Sequence, residues 1–143
     1  MAHIRVETEL AAGVEEVWED ICDIASHVEW MHDAESIVFT SDQRQGFGTT
    51  FDCLTKIGPI RLTDRMEITE WTDQEAIGVR HVGLVTGEGR FTIDATGDDT
   101  TRFVWAETLH FPWWLGGQIG SWIGSPILRR VWRRNLQLLQ ARF

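Results

Sequence analysis

Residues 4–25 read I-R-V-E-T-E-L-A-A-G-V-E-E-V-W-E-D-I-C-D-I-A, and a change of period inside them decides the fold. Over 4–10 apolar and polar residues alternate, the period of a half-buried strand. Residues 11–13 make a turn. From there the apolar positions are Val14, Val17, Trp18, Ile21, Cys22 and Ala25, a helical spacing, with Glu15, Glu16, Glu19 and Asp20 facing away. The early acids also suit a helix N-terminus. Ser26 followed by Glu29 has the spacing of a capping box and predicts a second short helix carrying Trp30 and Met31.

Beyond this opening the chain turns to β. Strands are predicted at 35–41, 48–56, 60–71, 76–83, 86–95 and 101–111, punctuated by Gly46, Gly48, Gly58-Pro59, Asp73, Gly97 and Asp98. Helix resumes at Trp114 and runs to the end. The order β, α, α, six β and a long α is that of an α+β fold, an antiparallel meander with a helix on one face. Alternation puts Phe51, Met66, Phe91, Trp105 and Leu109 on the inner face of the sheet. Three ionisable residues share that face: Asp64, His81 and Glu107.

V-E-E-V-W at 14–18, Asp23, Trp30, G-F-G-T-T-F at 46–51 and T-R-F-V-W-A-E at 101–107 resemble the SRPBCC superfamily, the START-like, pollen-allergen-type proteins. The likeness spans essentially the whole chain and is nearest to the polyketide cyclase/dehydrase branch. It implies the helix-grip fold: a curved seven-stranded antiparallel sheet around a long C-terminal helix, two short helices after strand 1, and a ligand cavity between sheet and helix. It also implies binders, cyclases and aromatases as the range of activities. No Rieske-type cysteine and histidine ligands accompany it, so the oxygenase branch is excluded.

The 143 residues make one domain's worth of chain, expected to form a single ligand-binding domain over 1–143. Hydrophobic residues at 43% and charged residues at 24% exclude disorder as the main state. A net charge of −9 makes nucleic acid a poor partner. Arg outnumbers Lys twelve to one, with Lys56 alone, which points to a bacterial coding sequence. Cys22 and Cys53 lack metal spacing and read as buried free thiols. With no apolar run of signal-peptide length at the N-terminus, the expected location is the cytoplasm. Residues 111–128 carry no charge and contain Gly116, Gly120 and Gly124, but Pro112, Pro126 and several polar residues favour a buried helix over a membrane span. Trp113 and Trp114 leave room for a membrane-surface contact. Eight Trp and no Tyr suggest either a lined cavity or a large core.

Burying Asp64, His81 and Glu107 is expensive unless they pair, neutralise or meet water. They read either as a satisfied hydrogen-bond network or as a polar patch orienting a ligand, and a carboxylate beside a histidine can serve as acid and base. The expected ligand-binding set is Trp30 at the cavity edge, the inner-face residues above, and Ile119, Trp122 and Ile123 from the last helix. His27 and His32, near Asp23, Glu29 and Asp33, read as a solvated face, and no metal or cofactor is expected. The arginines at 129, 130, 133 and 134 are expected to pair with the ten acids among residues 1–35. Leu115, Ile119, Trp122 and Ile123 form one helical stripe; Ile127, Leu128, Val131, Trp132, Leu138 and Leu139 form another, roughly opposite. Together with Pro126 this predicts a kink or break at 124–126. The reading is a binder of a hydrophobic, lipid-like or polyketide-like small molecule. A cyclase/dehydratase and a peripheral lipid shuttle are the alternatives.

Overall fold

A computed structural model describes the backbone of residues 1–143 and every side chain except those of Leu115, Gln118, Ile119, Ser121 and Trp122. The strands are β1 (Ala2–Leu10), β2 (Ala34–Phe39), β3 (Thr50–Ile57), β4 (Ile60–Thr72), β5 (Ala76–Val82), β6 (Thr86–Gly97) and β7 (Thr100–His110). They form one antiparallel sheet in the order β1-β7-β6-β5-β4-β3-β2. Six are joined as a meander, and β1 closes on β7 with Val6 opposite Trp105. The α-helices are α1 (Val14–Ile21) and α2 (Gly117–Gln140). This is the α+β arrangement that the alternation and the order of elements predict, and the helix-grip fold that the resemblance implies.

The short elements after β1 differ in detail. The second is a 3-10 helix, Ile24–Glu29, whose N-cap is Asp23 with no side-chain cap. Ser26 lies inside it and its hydroxyl donates back to the Asp23 carbonyl at 2.7 Å, so the predicted capping box does not form. Gly48, expected to open the third strand, lies with Gly46 in the turn before β3. Their φ angles of 87° and 89° are the left-handed conformation that glycine adopts without strain. That turn is locked by Thr49, whose hydroxyl donates to the Gly46 carbonyl at 2.9 Å.

The last helix buries Leu128, Trp132, Leu136 and Leu139 against the sheet. Their spacing of four, four and three residues keeps them on one stripe. Beneath them Phe103, Trp30, Ile4 and Leu10 are fully buried. Trp105 and Trp132 stack with ring centroids 4.5 Å apart and planes 15° from parallel. Most of the described tryptophans therefore serve the core; Trp113 and Trp114 are exposed.

Two expectations for α2 fail. The backbone stays helical from Gly117 to Gln140 through Pro126, with no break at 124–126. Pro126 is exposed, so its ring projects away from the sheet, while Leu128 and Trp132 pin the next turn. A helix with one rung missing can remain continuous when packing holds both sides. Among the stripe Leu115, Ile119, Trp122 and Ile123, only Ile123 lies within the described side chains, and it is 65% exposed. The arginines at 129, 130, 133 and 134 form no ion pair with the N-terminal acids among the described residues. Arg142 takes that part, reaching Asp20 at 2.6 Å and Glu29 at 3.0 Å.

These faces make opposite demands on substitution. Trp132→Ala should cost about 3–5 kcal/mol in urea denaturation. Ile123→Ala, on the outward face, should stay within about 0.5 kcal/mol of wild type. Equal losses would contradict the assignment of faces.

Candidate functional site

α2 packs on β1 and β7, at one side of the sheet, and leaves the inward-facing residues of β3 to β6 less covered. Below Trp105 and Trp132 the space is filled; above them lies a cavity of about 270 Å³. Its wall is mostly apolar and includes Phe51, Met66, Phe91, Trp105 and Leu109. Gly120, Gly124, Ile127 and Leu128 of α2 close one side. Pockets for drug-sized ligands run to about 300–1,000 Å³, so this one suits a compact molecule better than a two-chain lipid.

Asp64, His81 and Glu107 all line this cavity. They come from β4, β5 and β7, and register brings them together: Met66 sits opposite His81, and Gly89 of β6 opposite Glu107. His81 Nδ1 lies 3.0 and 2.9 Å from the two oxygens of Asp64. Its Nε2 lies 2.9 Å from Glu107 Oε1. Burial would drive the His81 pKa down, but the hydrogen bonds and charges of both carboxylates outweigh it and push it up to about 10. Burial raises the Glu107 pKa, with the His81 hydrogen bond opposing. At neutral pH His81 is therefore held protonated, its Nε2–H facing Glu107 Oε1 and its Nδ1–H facing Asp64.

Gly89 makes this geometry possible. A Cβ there would sit 2.3 Å from Glu107 Oε1 and 2.7 Å from its Cγ. The missing side chain is the space that the carboxylate occupies. No motif marks Gly89 in the sequence; only the strand register exposes its role.

Trp30 does not line the cavity. It is fully buried below, its ring centroid 5.4 Å from His27 and 6.1 Å from both Phe103 and Trp105. Its Nε1 has no hydrogen-bond partner among the described residues. Ile123 points away from the cavity, and Ile119 and Trp122 lie outside the described side chains. His27 and Asp33 are cavity-lining instead of solvated. The buried His27 Nε2 donates to the Ile21 carbonyl at 2.7 Å, and burial pushes its pKa down, so the ring is neutral. Asp33 accepts from Asn135 Nδ2 at 2.7 Å and from Trp132 Nε1 at 3.4 Å. A helical reading of 26–31 hid His27, because a 3-10 turn rotates each residue by 120° in place of 100°. Cys53, also in the wall, is a free thiol whose pKa burial pushes up to about 12, which leaves it unreactive. No group of three or more metal-binding side chains occurs among the described residues.

A family model described as "Polyketide cyclase / dehydrase and lipid transport" matches residues 1–143. No curated protein sequence matches the chain. Among solved structures, the protein XoxI from Bacillus cereus superposes with a TM-score of 0.78 at 18% identity, covering 100% of this chain and 96% of that one. A START superfamily protein from Mycobacterium smegmatis gives 0.77 at 12% identity, covering 99% and 97%. The Zhui aromatase/cyclase from a Streptomyces species gives 0.69 at 16% identity, covering 97% and 88%. At these identities the likeness is one of fold.

Gly89→Ala should leave the fold intact and swing the flexible Glu107 carboxylate off His81. The His81 midpoint in a histidine-resolved NMR titration should then fall from about 10 toward the ordinary value. Because the folded-state pKa is raised, the stability this site contributes is complete below about pH 6.5 and is lost as pH rises through about 10. The wild type's advantage over the variant should therefore shrink between those limits. A midpoint unchanged by the substitution would refute the coupling.

Proposed function

The chain belongs to the polyketide cyclase/dehydrase and lipid transport family, and from that premise we propose that it is a single binding domain for a compact, largely apolar molecule with one polar end. The observation that carries this reading is the position of the Asp64–His81–Glu107 cluster in the wall of a largely apolar cavity. Apolar walls supply affinity without direction. A polar cluster fixes which way round a ligand lies. A ligand hydroxyl can donate to a Glu107 or Asp64 oxygen, and a ligand carbonyl can accept the proton shared by His81 and Glu107. The free cysteines support a cytoplasmic setting.

One feature favours a second reading, catalysis of a cyclisation or dehydration. A proton held between two buried groups can be donated to a carbonyl oxygen, and the carboxylate left behind can accept one from carbon. The aromatase/cyclase among the fold neighbours makes that chemistry a reasonable one to test.

Matched probes separate the polar cluster's contribution from that of the walls. In ligand-observed NMR titrations, 2-naphthol should bind about tenfold or more tightly than naphthalene, the worth of one hydrogen bond to a charged group. Glu107→Gln should remove most of that preference and lower the melting temperature, while the protein still folds and naphthalene binding is kept. Equal affinity of the two probes in the wild type would defeat the binding reading. A variant that keeps binding but abolishes turnover of a poly-β-keto thioester would decide for catalysis.

A further inference from the structure

The antiparallel register puts the β3–β4 turn, the β5–β6 turn and the 110–117 segment before α2 at one end of the molecule, where Ile57, Ile60, Val85 and Phe111 line the cavity. The exposed large apolar side chains gather there. The two turns carry Ile60, Val82 and Leu84. A 3-10 turn ahead of α2 carries Trp113, 87% exposed, and Trp114, 53% exposed. Among the described residues only Val38 and Phe47 expose comparable side chains away from this end.

Charge is segregated in the same direction. No Asp or Glu occurs in 54–63, in 81–87 or anywhere in 108–143, although the chain holds 22 of them. The last 36 residues carry five arginines and no acid, so all 22 acids of the chain lie before them. Arg142 is paired with Asp20 and Glu29. Arg130 and Arg134 are exposed and form no ion pair among the described residues.

The outer face of α2 joins the two patterns. At 100° per residue, Ile123, Ile127, Arg130 and Arg134 fall within about 60° of one another, opposite the buried stripe of Leu128, Trp132 and Leu139. Apolar side chains lead, next to the tryptophans, and arginines follow about 5 to 11 Å further along the axis. That is the depth profile of a bilayer surface: apolar side chains and indoles at the acyl boundary, guanidinium groups at the phosphates.

We propose that this end, formed by Trp113, Trp114, Ile123, Ile127, Arg130 and Arg134, docks on an anionic phospholipid membrane, with this end of the cavity facing the bilayer. An anionic bilayer is the occupant because the patch needs apolar depth and negative charge together. Two acids, Asp33 and Glu35, also lie at this end, and each is held by a partner, Asn135 and Arg61 respectively. Gly120, Gly124 and Ile127 line the cavity from the docked helix, so an apolar ligand dissolved in the bilayer would reach the cavity without crossing water. Docking does not depend on what the cavity holds and is measured without ligand.

The test is vesicle flotation of the whole chain. Vesicles of 30% phosphatidylserine in phosphatidylcholine should carry the protein at low salt, and pure phosphatidylcholine vesicles should carry much less. Trp113→Ala with Trp114→Ala should abolish flotation without altering the circular dichroism spectrum or the melting temperature. Arg130→Gln with Arg134→Gln should weaken it about 30-fold, from roughly a fivefold effect per charge at the surface. No flotation of the wild type on anionic vesicles would overturn the proposal. So would flotation that the tryptophan pair does not affect. Sedimentation equilibrium showing a dimer that Trp113→Ala with Trp114→Ala converts to monomer would assign the surface to a second copy of the chain instead.

Discussion

Trp105 of β7 and Trp132 of α2 lie face to face, 4.5 Å between ring centroids, and the interior is organised about that stack. On one side, Leu136 and Leu139 meet Trp30, Phe103 and Leu10 in a solid core. On the other, the helix presents Gly120 and Gly124 where larger side chains would fill the gap, and a cavity remains. Close packing below is what makes the hollow above affordable: protein interiors tolerate few voids, and a domain with one must gain its stability elsewhere. The indole of Trp132 also reaches Asp33, and Asn135, fully buried one turn away, holds the same carboxylate and the His32 amide. The stack thereby fixes α2 to the segment before β2 as well as to the sheet.

Buried ionisable groups survive in this interior because each is either paired with an opposite charge or held neutral. His81 satisfies both ring nitrogens with carboxylates, and His27 avoids charge altogether. The two histidines, both in the cavity wall, are driven in opposite directions by their surroundings. Burial dominates at His27, and two carboxylates overcome it at His81.

Alternation was the most informative part of the sequence. It located all seven strands to within a residue or two and put Asp64, His81 and Glu107 on the same inner face before any register was known. A period of two reports which face a residue occupies, and in a meander every strand shares that face. Helical periodicity served α2 less well. Its N-terminal half has one side over a cavity and the other exposed, so an apolar residue there does not signal burial: Ile123 points outward and Gly124 inward. Trp30, His27 and Asp33 escaped for another reason. They lie on a 3-10 turn or just after it, where no regular period carries the direction of a side chain. Gly89 was invisible because its function is an absence, defined only by what a strand neighbour places there.

Gly89 and Glu107 stand 18 positions apart in the chain, yet they make one heritable character. A lineage that gains any side chain at 89 loses the room for the carboxylate, whatever becomes of its codon at 107. A lineage that trades Glu107 for a smaller residue is released from glycine and can recover the strand stability that glycine forfeits. Drift at either position is thus channelled by the other, and the order of the two changes matters. Losing the acid first is permitted by packing, whereas filling the glycine first disables a cluster that still has all its members.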